Sequence, residues 1–333
     1  MLSFSKAYGA LMGTAIGDAM GMPAYFFPEK TWERLGWIDD LLDAPPDHEV
    51  HKGNVRGKVT DDTEQAIYLA LAYIEGNGIT VEGVAKKLTE WYLASGGDQN
   101  QFIGPSSAKA LKEILAGKNP RETGLFGETN GCVMRISPVG IVNGGNMERA
   151  IQDAVISCTP THFTTVAVSA AAAAAAAIAE AMTDCPTVES VIAAAKQGAE
   201  EGKKYGRLVI TPSISRRIDL AVEIAASGKE VKEKLQDLYN LIGTGLAAAE
   251  IVPAALGIFA MAAGDPVKTV IYAANASGDA DTLGAIAGGI AGAFAGIDGF
   301  KGRWVETVSA ANPQFNFKEV AKELLKVAEN RVF

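Results

Sequence analysis

The sequence predicts an all-α protein that forms a single domain over residues 1–333. Apolar residues recur at helical spacing through most of the chain, and stretches that alternate like strands are nearly absent. No repeat of the kind that builds solenoids or propellers is visible. Because 48% of the residues are apolar, the chain is long enough to bury one large core. These observations together predict one helical domain.

The first half of the chain is predicted as helices joined by loops rich in glycine and proline. Helices are predicted at residues 7–19, 60–75, 81–94, 106–116 and 147–156, a short apolar segment at 135–142, and loops at 95–101 and 118–131. Residues 24–59 have no clean period and contain Pro28, Pro45 and Pro46, which predicts a long irregular loop with a turn of helix at 30–35. Tryptophan and leucine side chains within this loop favour an ordered structure.

Helical patterns continue through the second half. Helices are predicted at residues 161–182, 187–202, 211–226, 231–242, 251–263, 265–276, 283–297 and 317–331. Near the end of this half, glycine recurs at every fourth position, at Gly284, Gly288, Gly292 and Gly296, which places these residues on one helix face. Because a glycine inside a helix costs about 1 kcal/mol relative to alanine, we expect the close approach of a neighbouring helix to compensate.

The composition argues against some classes of binding partner and indicates a cellular location. A formal net charge of −9 argues against a nucleic acid or an anionic membrane surface as the main partner. No segment reaches the roughly 20 strongly apolar residues of a membrane-spanning helix, and no export signal is visible. Cys132, Cys158 and Cys185 have no metal-binding spacing and are predicted to be buried thiols of a reducing compartment. We therefore expect a cytoplasmic protein with no membrane partner.

Two acidic clusters of similar construction precede predicted apolar helices. They are Thr60-Asp61-Asp62 and Asp279-Ala280-Asp281-Thr282. Threonine and aspartate are preferred helix N-caps, so each cluster alone favours a capping interpretation. Two matching clusters favour a metal site, because buried carboxylates repel each other unless a cation lies between them. Oxygen ligands without nearby cysteine or histidine are typical of Mg²⁺, Mn²⁺ or Ca²⁺ rather than Zn²⁺.

Four further positions are candidates for the site. Asp18 lies between two glycines, where backbone can approach a ligand, and it is equally consistent with a turn residue. Asn130-Gly131 ends a glycine-rich loop whose N–H groups would bind an anion, although most Asn-Gly pairs are simple turns. His162 opens the alanine-rich helix, where a lone histidine is more often a capping or surface residue. Glu250 is a first-turn acid of its predicted helix.

Several motifs follow one another in an order that is specific for a known fold. They are Gly17-Asp18-Ala19-Met20-Gly21-Met22-Pro23, Thr60-Asp61-Asp62-Thr63, Asn130-Gly131-Cys132-Val133-Met134-Arg135-Ile136-Ser137-Pro138, Thr161-His162, Glu250-Ile251-Val252-Pro253 and Ser277-Gly278-Asp279-Ala280-Asp281-Thr282. In these motifs the chain resembles the ADP-ribosylglycohydrolase family, as an atypical member. The resemblance implies an orthogonal multi-helix domain that binds two divalent cations, Mg²⁺ or Mn²⁺, and hydrolyses a ribosyl glycosidic bond.

The same resemblance implies roles for individual residues. It assigns the cation ligands to Thr60, Asp61, Asp62, Asp279, Asp281 and Thr282. It also implies that Asn130, Gly131 and His162 lie on the phosphate or ribose side of the cleft. Two positions depart from the family pattern, since Tyr25 and Phe102 stand where members carry carboxylates that handle the leaving group or water. These departures favour a smaller ribosyl substrate over an ADP-ribosylated protein.

The preferred hypothesis is a metal-dependent hydrolase in which an activated water attacks the anomeric carbon of the ribose. Asp62 or Asp281 would orient that water with support from Asp18, and these three are the candidate catalytic residues. Glu250 and Tyr25 are candidates for substrate binding, the latter by stacking on a base. The substrate is an ADP-ribosylated protein or a small ribosyl compound such as a nucleoside. The alternative is a catalytically silent protein that binds ADP-ribose or a nucleotide.

Overall fold

The computed structural model describes residues 2–99 and 103–331, and it confirms the all-α prediction over these ranges. The first helices are α1 (Phe4–Gly21), α2 (Pro28–Leu35), α3 (Asp61–Gly76), α4 (Val81–Ala94), α5 (Pro105–Leu115), α6 (Pro120–Thr123), α7 (Ser137–Val142) and α8 (Met147–Cys158). They are followed by α9 (Thr165–Ala181), α10 (Val188–Gly202), α11 (Ile214–Ala226), α12 (Val231–Asp237), α13 (Ala248–Met261), α14 (Pro266–Ala276), α15 (Ala280–Ala295), α16 (Gly302–Ala311) and α17 (Phe317–Asn330). The described residues form two isolated β-bridges and no strand.

The predicted helices are present, although several of their bounds differ, and α6 lies within the segment 118–131 that was predicted as a loop. Helix α9 begins at Thr165 and not at residue 161, because the Thr164 hydroxyl accepts a hydrogen bond from the first turn and caps it there. The segment predicted as one helix at 231–242 ends as α-helix at Asp237 and continues as a turn of π-helix over Leu238–Ile242. Helix α16 is not predicted, since it buries too few apolar side chains to give a period.

Helices α1 and α15 pack with their backbones in direct contact. The facing pairs, in order along the contact, are Gly9 with Gly292, Gly13 with Gly288, Gly17 with Gly284 and Gly21 with Ala280. A Cβ atom added at Gly17 would lie 1.9 Å from the carbonyl oxygen of Gly284, so no larger residue fits there. The glycine stripe of α15 therefore meets a neighbouring helix, as predicted. Because the two helices are antiparallel, the C-terminal end of α1 lies beside the N-terminal end of α15.

Helix α9 forms the centre of the remaining core. Its residues 170–177 are all alanine and all fully buried. Small side chains allow α8, α10, α13 and α15 to pack around it. Gly198 of α10 comes so near that a Cβ atom there would lie 2.4 Å from the carbonyl oxygen of Ala172. The alanine run is thus explained by close helix packing.

A buried carboxylate joins three parts of the fold. Asp153 of α8 accepts hydrogen bonds from the Tyr73 hydroxyl and from Nδ2 of Asn143, each at 2.7 Å. Nη1 and Nη2 of Arg331, just after α17, donate to the same carboxylate at 2.5 and 3.1 Å. Because every oxygen is paired, the acid is tolerated inside the protein.

Two expectations about composition can be compared with the structure. Among the described residues, none of the helices combines the length and the apolar run that a bilayer crossing needs. All three cysteines are free thiols, and Cys132 and Cys158 are buried as predicted. Cys185 is exposed, so the prediction of a buried thiol is wrong there, because the residue lies in the turn between α9 and α10.

The backbone contact between α1 and α15 predicts the effect of a single methyl group. Gly288→Ala should lower the free energy of unfolding by about 3 kcal/mol, because the new Cβ would lie 2.2 Å from the Gly13 carbonyl oxygen. Gly76→Ala is the matched control, since its Cβ meets open space at the end of α3 and should stabilise the helix by about 0.5–1 kcal/mol. Urea unfolding followed by circular dichroism measures both changes. Equal stability of the two variants would contradict the described contact.

Candidate active site

A cavity of about 750 Å³ lies where the C-terminal end of α1 meets the N-terminal ends of α3 and α15. One wall carries polar side chains from both acidic clusters. They include Asp61, Asp62, Asp279, Asp281 and Thr282. The other walls come from the loop between α1 and α3, the start of α5, and residues 129–134 and 239–246. A concave space of this size with convergent polar groups is typical of a small-molecule site.

The side chains of the first acidic cluster hydrogen-bond to each other and to a side chain of the same helix. Thr60 Oγ1 donates to Asp62 Oδ2 at 2.9 Å, and no side-chain hydrogen bond from Thr60 caps α3. One turn into the helix, Gln65 Nε2 donates to Asp61 Oδ2 at 3.1 Å. The remaining oxygen of Asp62, Oδ1, is buried and has no hydrogen-bond partner. The capping interpretation is therefore wrong for this cluster.

Asp18 of α1 does the capping instead. Its carboxylate is fully buried and accepts the backbone N–H of Thr60, with distances of 3.0 and 3.1 Å to its two oxygens. The backbone N–H and the hydroxyl of Thr63 donate to Oδ2 at 3.2 and 2.6 Å. An acid from one helix thus satisfies free N–H groups at the start of another, a stabilising arrangement at a positive helix end.

The position of the second cluster is determined by a turn at Gly278, where only glycine fits. Gly278 has a φ of +77°, and a Cβ atom there would lie 2.2 Å from Oγ1 of Thr244. The backbone N–H of Asp279 donates to the Thr244 carbonyl oxygen at 2.8 Å, which ties the start of α15 to the opposite loop. Asn130 Nδ2 donates to Asp279 Oδ2 at 2.5 Å. No side-chain hydrogen bond from Asp279 caps α15, so capping is excluded here too.

The carboxylates of both clusters and of Asp18 repel each other. Burial raises the pKa of Asp61 and of Asp62 well above its ordinary value, and nearby carboxylates, Asp281 foremost, raise it further. Burial likewise raises the pKa of Asp18 to about 7 and that of Asp279 to about 8, and Asp281 contributes to both. Within the described ranges, the His, Cys, Asp and Glu side chains form no ready-made metal site by themselves. A bound positive charge would therefore reduce the repulsion among these carboxylates.

Two histidines that no motif indicated also reach the site from the loop between α2 and α3. His51 Nε2 lies 2.9 Å from Asp281 Oδ2. Burial favours a higher pKa of Asp281, but the contacts that it makes, those with His51 foremost, together lower the pKa. His48 Nδ1 accepts the N–H groups of Val50 and His51, so its Nε2 donates to the Ala24 carbonyl oxygen at 2.9 Å. The sequence offers one signal, since two of its three histidines are three positions apart.

A buried arginine lies behind the acidic clusters and forms hydrogen bonds with residues next to them. Arg135 is fully buried, and its Nη1 donates to Gln65 Oε1 at 2.9 Å and to the Gly131 carbonyl oxygen at 3.0 Å. Its Nη2 donates to Thr161 Oγ1 at 2.8 Å. Because Gln65 also donates to Asp61, the guanidinium fixes the direction of that carboxylate through one intervening side chain.

The third histidine lies beneath the cavity floor. His162 is fully buried, with Nε2 3.0 Å from Thr129 Oγ1 and Nδ1 2.8 Å from Thr161 Oγ1. Burial lowers its pKa well below the ordinary value, and Arg135 adds to this effect. A Cβ atom at Gly131 would lie 2.9 Å from the imidazole Cε1. The ring therefore supports the backbone at Gly131 and does not face the cavity.

Comparison with known proteins identifies the family. The model of the family described as ADP-ribosylglycohydrolase matches residues 2–332. The chain belongs to the ADP-ribosylglycohydrolase family. A solved structure titled "ADP-ribosylglycohydrolase-related protein complex" has a TM-score of 0.70 and 23% identity over 98% of each chain, which shows a shared fold.

Two curated relatives match nearly the whole chain. "Uncharacterized protein YegU" of Escherichia coli K12 is 31% identical over 98% of each chain. "ADP-ribosylarginine hydrolase Tri1" of Pseudomonas putida is 25% identical over 97% of this chain and 78% of its own. The resemblance inferred from the motifs is thereby confirmed at the level of the family.

The structure brings most of the predicted site residues to one cavity. Those that line it are Asp61, Asp62, Asn130, Gly131, Glu250, Asp279, Asp281 and Thr282. Asp18, Thr60 and His162 are not among the described lining residues, since each is buried one layer behind. Asp18 contacts the start of α3, and its predicted catalytic role stays a prediction.

Tyr25 is the predicted site residue that the structure directs elsewhere. Its ring is buried, its hydroxyl donates to Asp47 Oδ1 at 2.6 Å, and Lys30 Nζ lies 4.1 Å above the ring centre. It is absent from the described cavity lining, so stacking of Tyr25 on a base is not supported. Phe26, the next residue, lines the cavity in its place. Phe102 lies outside the described residues.

The capping role of Asp18 gives a stability prediction. Asp18→Ala should lower the free energy of unfolding by about 3 kcal/mol, because it leaves the buried N–H groups of Thr60 and Thr63 without acceptors. Asp39→Ala, which truncates an exposed aspartate, should change it by less than about 0.5 kcal/mol. Urea unfolding measures both, and a loss of similar size in the two variants would show that Asp18 holds nothing in place.

Proposed function

We propose that this protein hydrolyses a ribosyl glycosidic bond with two divalent cations, Mg²⁺ or Mn²⁺, held between the N-terminal ends of α3 and α15. One observation carries the proposal: acidic clusters from distant parts of the chain meet on one wall of a cavity of about 750 Å³. Membership of the ADP-ribosylglycohydrolase family supports hydrolysis as the reaction class. The name of the relative Tri1, an ADP-ribosylarginine hydrolase, supports ADP-ribosyl linkages as the substrate class.

The donor atoms of the cavity wall fit hard divalent cations. Carboxylate and hydroxyl oxygens are the ligands that Mg²⁺ and Mn²⁺ prefer. Asp62 Oδ1 is buried without a hydrogen-bond partner, an arrangement that is costly unless a cation neutralises it. The residues that would hold the cations are Thr60, Asp61, Asp62, Asp279, Asp281 and Thr282. When bound, such cations supply positive charge to the ribose hydroxyls and to the hydrolytic water.

The protein's own side chains would position the reacting groups. Asp62 and Asp281 line the cavity and would orient the attacking water. Asn130 fixes Asp279 by donating to its Oδ2 at 2.5 Å. Glu250 Oε2 accepts the N–H of Gly245 at 3.2 Å and so holds the loop before α13 in place. Because the Thr244 carbonyl oxygen of this loop accepts the N–H of Asp279, these contacts fix the loop relative to the acidic wall, which favours a bound ribose in one orientation.

The rest of the cavity suits the remainder of a nucleotide-like substrate. Arg217 lies on the wall and offers a guanidinium to a phosphate group. Phe26, Leu241 and Leu246 line the cavity and are 43%, 57% and 53% exposed, so they form an apolar rim. An exposed aromatic and aliphatic rim next to a polar wall favours a base or adenine at the entrance.

A substrate panel tests the proposed reaction. The protein would be incubated with Mg²⁺ or Mn²⁺ and with an arginine-linked ADP-ribosyl peptide, an O-linked ADP-ribosyl peptide or plain nucleosides. Release of ADP-ribose supports the proposal as stated, and release of ribose from nucleosides keeps the reaction but changes the substrate class. ADP-ribose binding measured by calorimetry, with no turnover of any compound, identifies a silent binding protein and refutes hydrolysis.

Removal of one carboxylate charge tests the cation site. Asp62→Asn should abolish the rise in melting temperature that Mg²⁺ or Mn²⁺ produces and reduce turnover to background, because Oδ1 no longer bears charge. Asp39→Asn removes the same charge from an exposed position and should keep both properties. Thermal unfolding with and without each cation, alongside the substrate assay, measures the effect. Retention of full cation-dependent turnover by Asp62→Asn would refute the ligand assignment.

A further inference from the structure

The imidazole of His51 contacts the carboxylate cluster inside the cavity. The residue is 7% exposed and lines the cavity, with Nε2 2.9 Å from Asp281 Oδ2. The ring nitrogen therefore lies against a carboxylate that is itself a proposed cation ligand.

The loop around His51 is built to hold that direction. His48 Nδ1 accepts the N–H of His51 at 3.0 Å, and the two rings lie 5.0 Å apart. On the other side, the His51 carbonyl oxygen accepts the N–H of Asn54 at 3.0 Å. The Ala24 carbonyl oxygen anchors His48 in turn, so the loop is fastened to the chain just after α1. The backbone at His51 is thus fixed on both sides, which limits the positions open to its imidazole.

We propose that His51 is a nitrogen ligand of the cation bound by Asp281, an inference that rests on the proposed function. Neighbouring ligand atoms of an octahedral cation with bonds of about 2.1 Å lie about 3.0 Å apart. The Nε2 to Oδ2 distance of 2.9 Å has this spacing, as does the 2.9 Å between Thr60 Oγ1 and Asp62 Oδ2. One cation would therefore have mixed nitrogen and oxygen ligands.

A nitrogen ligand changes which cation the site prefers. Imidazole suits Mn²⁺ and later transition metals, whereas Mg²⁺ and Ca²⁺ select oxygen ligands. We therefore expect the site to bind Mn²⁺ more tightly than Mg²⁺ by about tenfold or more. The selectivity should depend on the imidazole of His51 and not on the number of negative charges, which the aspartates supply for either cation.

Electron spin echo spectroscopy of the Mn²⁺-loaded protein detects such a ligand directly. The wild-type protein should show modulation from a nitrogen bound to Mn²⁺, and incorporation of ¹⁵N-histidine should replace the ¹⁴N pattern with that of ¹⁵N. His51→Asn should remove the signal. If His51→Asn does not fold, His51→Gln serves as the second variant, and the labelled wild-type protein still shows whether any histidine nitrogen is bound to Mn²⁺.

Titration calorimetry with Mg²⁺ and with Mn²⁺ provides an independent readout. His51→Asn should lower the preference for Mn²⁺ over Mg²⁺ by about tenfold. Lys52→Gln is the matched control, since it alters an exposed residue of the same loop and should keep the wild-type preference.

The outcomes separate this inference from the proposed function. Mn²⁺ binding with turnover but without histidine modulation refutes the role of His51 and leaves the hydrolase proposal intact. An unchanged Mn²⁺ to Mg²⁺ preference in His51→Asn refutes it as well. Failure of the protein to bind either cation refutes both the ligand and the cation centre on which it depends.

Discussion

Repulsion among buried carboxylates is the constraint around which this molecule is organised. Burial raises the pKa values of Asp18, Asp61, Asp62 and Asp279, and repulsion from neighbouring carboxylates raises each of them further. The fold holds them there through the contact between α1 and α15, where glycine replaces side chains and the backbones touch. That contact fixes the end of α1 beside the start of α15, and Asp18 then fixes the start of α3. The packing of the helical core therefore holds like charges close together despite their repulsion.

Much of the fold could be predicted because its signals are local. The glycine period of α15 indicated a helix contact, since it is visible within one segment. The sequence did not indicate which helix packs against α15, because the glycines of α1 are recognised as contact residues only when the two helices are seen to face each other. Helix α16 escaped detection for a related reason: Trp304 and Val308 are its buried residues, too few to set a period.

The candidate site likewise has features that could be predicted from the sequence and features that could not. Both acidic clusters could be found from their composition and their place before apolar helices, and the structure brings them to one cavity. The directions in which individual side chains point could not be predicted from the sequence. Tyr25 and Phe26 are adjacent, yet the first turns toward Asp47 and the second toward the cavity, which depends on the path of an irregular loop. His51 was missed because that loop, residues 24–59, has no period from which its position could be predicted.

The pairing of α1 with α15 also has a consequence for the order of folding. The two helices are separated by most of the described chain, so their contact closes a very large loop, and topologies of this kind fold slowly. During synthesis α1 emerges long before its partner. A nascent chain consequently exposes a bare glycine-lined helix face, with Asp18 at its end, until α15 has been made. The cavity can therefore assemble only late, after nearly every other helix is available to hold it.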